Sequence, residues 1–530
     1  MSQSSSSHGL KKLFIAALLS QRADLDDPQR GSIIAAFPEF NTYDPIEIRS
    51  ALENIRQNKG WERIFHPRAL NWPSSRQIEK ALTQAREWFD RAVFVMAAEE
   101  LGLSSKAEIT FSPVFFAWGS RQILNLPRAA VLNSRKPRFV SPQDRWIKVT
   151  KWLVQLALDQ GCGLVTSWGN YPYELVCSLA KIAGCPTLII CDSLLPFMLS
   201  QEKMNSFLAR YDRMFPPGQT LFLSPFSPGR LPPRKLRGIQ RDACLVILSS
   251  SILAAEIRSG GNMERLIREA LKQEADAKVF RPDEFDRATA GNKTLLSLGA
   301  QACRLPLAPI QTDLKEEKIV ARDGVTIQTD LKDNTYLIHF TRSCPGPWPG
   351  QPLDEYYRSL LEMKKEAAHT AFDTLNRILK EQRIRGSGHL IRGRMPVVSL
   401  TAQSLKDLKS LIRWRRGLVR WAFEPYGIAM ARALLVELGA RPVIYGGEED
   451  WQRLPHDRKY RFQLHQPPDT DWSLEKEWRL PQDLNLKDIP EEHIRIILPS
   501  THEAMLIASA FSYQVVLAEG FKEASKKGRP

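Results

Sequence analysis

The stretch Ala129-Ala130-Val131-Leu132-Asn133-Ser134-Arg135-Lys136 decides the fold. Four apolar residues are too few for a helix, and they run straight into short polar side chains and two cations. That pattern predicts a strand buried on both faces that ends on a polar turn. The same alternation continues downstream, with a helix from Asp144 to Asp159, a strand at Gly163–Thr166 and a helix from Tyr173 to Ala183. Further apolar runs at Thr187–Cys191, Thr220–Leu223 and Ala243–Leu248 predict a third, fourth and fifth strand. A helix from Asn262 to Glu274 then leads into Ala277–Phe280.

Strands alternating with helices predict a parallel sheet covered on both faces, so residues 128–282 read as a Rossmann-like domain in an α/β protein. Residues 1–125 read as a mainly helical accessory region. Asp44-Pro45 opens one helix, and Ser74-Ser75 caps another that runs to about Leu101 through Ile78, Leu82, Trp88, Ala92, Val95 and Met96. A winged-helix DNA-binding element would also fit there. Between 287 and 334 the periodicity weakens, and Gln311-Thr312-Asp313-Leu314-Lys315 recurs as Gln328-Thr329-Asp330-Leu331-Lys332, which predicts a linker with a hairpin. A basic α+β domain is expected over 335–510, followed by a basic tail over 511–530.

The chain of 530 residues carries 74 Lys+Arg against 59 Asp+Glu, a formal charge of +15. Such a surplus concentrates polyanions near the surface and favours nucleic acid as a partner. The seven cysteines form no C-x-x-C pair and no zinc-type cluster, which predicts reduced core thiols and no metal. Lys11-Lys12 before the apolar run Leu13–Leu19 imitates a signal peptide, but Gln21-Arg22-Ala23-Asp24 resumes a helical pattern without a cleavage site. No run reaches the roughly 18–20 apolar residues of a membrane span. A cytoplasmic location without membrane contact is expected.

In a doubly wound sheet, phosphates bind where strand ends turn into helices, because free N–H groups and the helix dipole point outward there. Three such turns are candidates. The first holds Ser134, Arg135 and Lys136, the second Ser167 and Gly169, and the third Ser259, Gly260 and Gly261. The cationic run Arg234, Lys235, Arg237 and Arg241 precedes the expected fifth strand and is a further candidate for phosphate contact. A solvated helix face would give the same run.

The ordered set resembles the DprA-like branch of the SLOG superfamily, Rossmann-like domains of DNA-processing proteins and nucleotide sensors. The resemblance rests on Asn133-Ser134-Arg135, on Thr166-Ser167-Trp168-Gly169, on the Arg-rich segment running into Asp242-Ala243, and on Ser259-Gly260-Gly261-Asn262. It covers about 150 residues and implies binding of a nucleotide or nucleic acid. Asn133 stands where the family has a glycine, and Trp168 and Tyr171 stand where it has small and acidic residues.

In the third domain, Ile338-His339-Phe340-Thr341-Arg342 predicts a strand ending on polar groups, and Pro396–Thr401 another. Arg392, Arg394, Arg413, Trp414, Arg415 and Arg416 interleave cations with an aromatic ring, as suits phosphate neutralisation and base stacking, although buried Trp with snorkelling Arg gives the same pattern. The order of a His-Phe-Thr strand, a hydroxyl strand, Tyr426-Gly427 and Glu475-Lys476-Glu477 resembles ADP-ribosyltransferase-like toxins. That resemblance implies NAD or another nucleotide as cofactor, with His339 and Glu477 catalytic and Thr341, Ser399 and Tyr426 holding the dinucleotide.

The reading favoured by these features is a nucleic-acid-associated protein of a bacterial defence or DNA-modification system, with partner proteins from a clustered system. Its rivals are an NAD-dependent ADP-ribosyltransferase with a nucleotide-sensing domain and a non-catalytic DNA-binding protein.

Overall fold

Asp26 and Ser74 each start a helix by accepting a hydrogen bond from the third helical amide, with Gln29 and Gln77 bonding back to the cap. In the computed structural model these are α2 and α4 of a helical N-terminal segment: α1 (Gln3–Leu19), α2 (Asp27–Ala36), α3 (Pro45–Asn58) and α4 (Ser75–Asp90). The structure describes residues 3–22, 24–38, 43–58, 72–103, 113–306, 335–407, 420–467 and 472–518, with short pieces at 322, 325–328, 331, 412 and 414–415. Two compact units result, the first comprising Met1–Ala308 with Gly350–Ala367 and the second Pro309–Pro349 with Ala368–Pro530.

The first unit is built on nine strands. These are β1 (Phe94–Ala97), β2 (Val114–Gly119), β3 (Arg128–Leu132), β4 (Gly163–Thr166), β5 (Thr187–Ile190), β6 (Thr220–Ser224), β7 (Ser251–Ala254), β8 (Asp276–Phe280) and β9 (Gln301–Cys303). Their order is β1-β2-β6-β5-β4-β3-β7-β8-β9, parallel from β6 through β9, with β1 and β2 antiparallel at one edge. From β3 the chain winds outward to β6, returns, and continues from β7 on the other side of β3. The β3/β7 boundary is therefore the topological switch point, where such sheets open a crevice beyond their carboxyl ends.

Continuous apolar strands need cover on both faces. One face carries α8 (Arg234–Ile247), α9 (Asn262–Lys272) and α10 (Ala290–Ser297), with Leu245, Ile267 and Leu295 packed against Ala130, Val165 and Ile252. The other carries α5 (Arg145–Asp159) and α6 (Tyr171–Ala183), whose Leu153 and Val176 meet Val131 and Leu164. The N-terminal helices extend that second layer, and Phe14, Ile78 and Trp88 share one cluster with Phe116, Ile189 and Phe222. Between β5 and β6 lies α7 (Gln201–Tyr211), and α11 (Leu353–Leu361) joins the unit with Tyr357 wholly buried.

Several expectations are corrected. Residues 243–248 are not a strand but the last turns of α8, and the fifth core strand is Ser251–Ala254, so Ser249 and Ser250 precede a strand instead of following one. The helix from Ser75 stops at Asp90, the left-handed Ala92 (φ 61°) breaks the chain's course, and Phe94–Ala97 pairs as a strand. Residues 290–303, expected within a linker, supply α10 and β9. Most of the pentapeptide repeat and the tail at Lys526–Arg529 lie outside the described residues.

The second unit holds an eight-stranded mixed sheet in the order Ile327–Gln328, Gln514–Leu517, Ile494–Leu498, Gly427–Ala431, Tyr336–Phe340, Val398–Thr401, Glu477–Leu480 and Arg441–Pro442. Gln514–Leu517 is thus a strand where a basic tail was expected. Leu337, Leu400, Ile428 and Leu480 form the core on one face, and Ile338, Phe340, Ala429 and Val516 the core on the other.

Candidate functional site

The turns after β3 and β7 are sewn together. Ser134 N–H donates to the Glu256 carbonyl at 2.9 Å, and Ser134 Oγ accepts the Arg258 amide at 2.8 Å. Asn133 accepts the Glu256 amide at 3.3 Å and donates to Thr150 Oγ1 at 2.9 Å, so it is held by the scaffold on both sides. Asn133 is thus held by the scaffold, while Ser134 fixes the Arg258 turn through its oxygen and keeps its hydroxyl proton to donate.

What the switch point offers a ligand is charge. The buried Glu256 carboxylate pairs with Lys136 Nζ at 2.7 Å and Arg145 Nε at 2.6 Å, and Arg145 reaches Asp286 at 2.8 Å. Burial holds the Lys136 ammonium below the usual lysine range; Glu256 opposes this, while the nearby charges of Arg145 and Arg258 add to it. Arg258 therefore belongs to the same group, and Arg135 is exposed on the adjoining turn. Four cations stand against Glu256 and Asp286. Beside them α9 begins, with Ser259 and Gly260 exposed just ahead of it.

Two of the expected phosphate turns already contain an anion. The Gly169 amide donates at 3.0 Å to Glu174, whose buried carboxylate also accepts Tyr211 Oη at 2.8 Å and Tyr357 Oη at 2.7 Å. Ser167 Oγ is turned inward to the Ile190 carbonyl at 2.7 Å. The Gly260 amide meets Glu264 at 2.5 Å, and Glu264 pairs with Arg268 at 3.1 Å. At Gly169 the left-handed φ of 84° is what aims the amide, whereas Gly261 has an ordinary negative φ and serves as the N-cap of α9.

The cationic run lies on α8. Arg241 bonds Asp242 at 2.7 Å and stacks over the Tyr173 ring, while Tyr173 Oη and Asn262 Nδ2 donate to the two Asp242 oxygens at 2.7 and 3.0 Å. This network pins α8 to the starts of α6 and α9. Eight residues separate Asp242 from Arg234, about 12 Å of helix, so the first turns of α8 project past that junction. Arg234 and Lys235 are exposed there, with Arg237 half-buried beside them.

No family model matches the chain, and no curated protein matches it. Among solved structures, DNA processing protein A from Streptococcus pneumoniae is similar over 49% of this chain and 90% of its own, at 16% identity and a TM-score of 0.33. DNA processing protein A from Helicobacter pylori, described for its single-stranded DNA binding mode, is similar over 40% of this chain and 90% of its own, at 17% identity and a TM-score of 0.31. The Chlamydomonas rheinhardtii Moco carrier protein is similar over 32% of this chain and 99% of its own, at 16% identity and a TM-score of 0.19.

In the second unit the expected dinucleotide cleft is not assembled. Ile338 pairs with Thr401, and Thr401 with Glu477, so these three share one face of the sheet. His339, one residue on from Ile338, projects from the opposite face. The expectation that His339 and Glu477 face one cleft is corrected, and the physical reason is the two-residue period of the strand. Burial pushes His339 down to about 4, and its Nδ1 lies 3.0 Å from the Ser399 carbonyl.

Glu477 instead clamps Arg479, with Nε and Nη2 at 2.9 and 3.0 Å, and Arg479 is buried with further bonds to the carbonyls of Tyr460 and Phe462. Thr341 Oγ1 donates to the Ala371 carbonyl at 2.8 Å, and Tyr426 Oη to Glu503 at 2.9 Å, whereas Ser399 is exposed. Trp414 and Arg415 pair with Trp421 and Arg420 in a small hairpin, while Arg413 and Arg416 lie outside the described residues.

Nothing local marks Glu256 or Arg145 as site residues in the sequence. Glu174 and Glu264 carry one signal, an acid four or five residues after a glycine turn, where a first-turn carboxylate can reach back to the amide.

Proposed function

We propose that the first unit binds nucleic acid by its phosphates along the carboxyl edge of the sheet, without catalysing a reaction on it. The observation that carries this reading is the excess of cations at the switch point, where Lys136, Arg145, Arg258 and Arg135 outnumber Glu256 and Asp286. A polymer suits the site better than a free nucleotide, because the exposed cations continue onto the projecting turns of α8. Phosphate contacts of this kind are insensitive to sequence and steepen the salt dependence of binding. We further place the protein in a bacterial defence or DNA-modification system, which co-purification of clustered partner proteins with the full chain tests.

The binding reading is tested by titrating the full chain with labelled single and double strands at several salt concentrations. Replacing Arg135 and Arg258 with Ala should lower the magnitude of the logarithmic salt slope by about 0.7 per contact on single strands and about 0.9 on duplex. Unchanged slopes and affinity in that variant would remove the switch point from the binding surface.

A further inference from the structure

The second unit carries a cationic surface that the reading above does not use. The loop after Ser387 returns on itself through Arg394 N–H to the Ile391 carbonyl at 2.9 Å and Ile391 N–H to the Gly388 carbonyl at 3.2 Å. Gly388 lies so close to the Arg394 backbone that a side-chain carbon there would come within 2.2 Å of the Arg394 carbonyl oxygen. Gly393 (φ 77°) and Arg394 (φ 54°) are both left-handed, the second in spite of its side chain. Sequence and geometry together fix where Arg394 leaves the surface.

Across from this loop stands Trp451. The Arg392 guanidinium lies 4.6 Å from its ring centroid and the Lys459 ammonium 4.9 Å, so one indole orients two cations. Arg394 and Arg458 are exposed, and neither they nor Lys459 has an ion pair among the described residues. The acids nearby are largely committed, with Glu448 bound to Arg392, Glu449 to Arg453, and Asp450 to the Gly447 amide at 2.8 Å. Asp457 is exposed beside Arg458.

We propose that this surface, formed by Arg392, Arg394, Arg458 and Lys459 around Trp451, is a second contact for the phosphate backbone of nucleic acid. Two features favour that partner over an acidic protein. Protein interfaces are anchored by buried apolar or aromatic side chains, and here the Trp451 ring is occupied by cations. Exposed arginines beside a lysine held over an indole suit a repeating row of phosphates. Because Trp451 is engaged by cations, bases do not stack on it, and recognition is independent of sequence.

The test uses the full chain with Arg394, Arg458 and Lys459 replaced by Glu, compared with wild type and with the Arg135→Ala, Arg258→Ala variant. The expected result is weaker binding of every oligonucleotide sequence, with a salt slope reduced in magnitude by about 2 on single strands. A variant carrying Gln at the same three positions should show the slope change without the added repulsion, and circular dichroism melts identify any loss of folding. Wild-type affinity and slope in both variants would overturn the inference. So would loss of binding to polyglutamate with nucleic-acid binding intact, which assigns the surface to an acidic protein. The two readings separate cleanly, because residual binding in the switch-point variant that vanishes only on loss of Arg394, Arg458 and Lys459 supports this surface whatever the first unit does.

Discussion

Ser134 Oγ accepts the backbone amide of Arg258 at 2.8 Å, joining the turns that follow β3 and β7 across the switch point. The bond sets where Arg135 and Arg258 leave the backbone. Ser134→Ala removes the acceptor of the part-buried Arg258 amide, which costs about 1 kcal/mol. Urea denaturation of the full chain should show that loss in the first unit. Oligonucleotide affinity should fall as well, because the two arginines are no longer held together. Full stability with full affinity would show that the turn keeps its shape without the hydroxyl.

Acid should act with opposite sign on a buried carboxyl of the first unit and on two buried histidines of the second. Asp27, buried between the Ser227 amide at 2.7 Å and Arg30, is pushed up to about 6 by burial, which outweighs that amide and the Arg30 charge. Between the unfolded value near 3.8 and about 6 the folded state binds the extra proton, so this group adds stability as pH falls through the window. His339 and His369 are held down to about 4 by burial, so below 6.5 the unfolded state binds the extra protons and stability is lost down to about 4.

The comparison that checks this is unfolding from pH 7 to 4 for wild type, Asp27→Asn and His339→Gln. Relative to wild type, the Asp variant should lose the gain on acidification and the His variant should lose the decline. Parallel curves in either case would show that the group titrates as it does unfolded.

The core strands β3, β4, β5 and β6 are legible in the sequence because each is an apolar run closed by Gly, Pro or hydroxyl residues. Residues 243–248 are not legible, because a short apolar run fits the buried end of a helix as well as a strand. Only the upstream turn from Arg234, which continues into it, distinguishes the two. Strand Phe94–Ala97 is hidden for a similar reason, since Val95 and Met96 extend the spacing set by Ile78 and Trp88.

Arg135 and Lys136 are readable as a turn chemistry, but Arg145 is not, and the organiser Glu256 lies 120 residues from Lys136 with no local pattern to join them. In the second unit, short motifs suggested that His339 and Glu477 cooperate. Strand register separates them, and register is not written in a single strand's sequence.

Glu477 should behave as the counter-charge of a buried arginine. Replacing it with Gln leaves the Arg479 guanidinium, 1% exposed, with neutral partners only. Removing one partner of a buried pair typically costs about 3–5 kcal/mol, and the amide retains part of the hydrogen bonding, so about 2–3 kcal/mol is expected. Thermal or denaturant unfolding should report this directly. Loss of NAD consumption at undiminished stability would restore a catalytic role for Glu477.

The start of α6 supplies the last prediction. Glu174 sits in the first turn of the helix, where its carboxylate takes the Gly169 amide and the hydroxyls of Tyr211 and Tyr357, which is the donor set an oxyanion would find at a helix N-terminus. The side chain thus fills the place of a phosphate. Truncation by Glu174→Ala leaves the three donors and the helix dipole facing an emptied volume, so the variant is destabilised and the site becomes competent for a small anion.

Millimolar phosphate or sulfate, at ionic strength matched with sodium chloride, should therefore raise the melting temperature of Glu174→Ala more than that of wild type, since a ligand that binds only the folded state stabilises it in proportion to its occupancy. Glu174→Gln keeps the volume filled and should show no such rescue. Equal shifts in all three proteins would mean that anions act elsewhere, with the switch-point cations the first place to look.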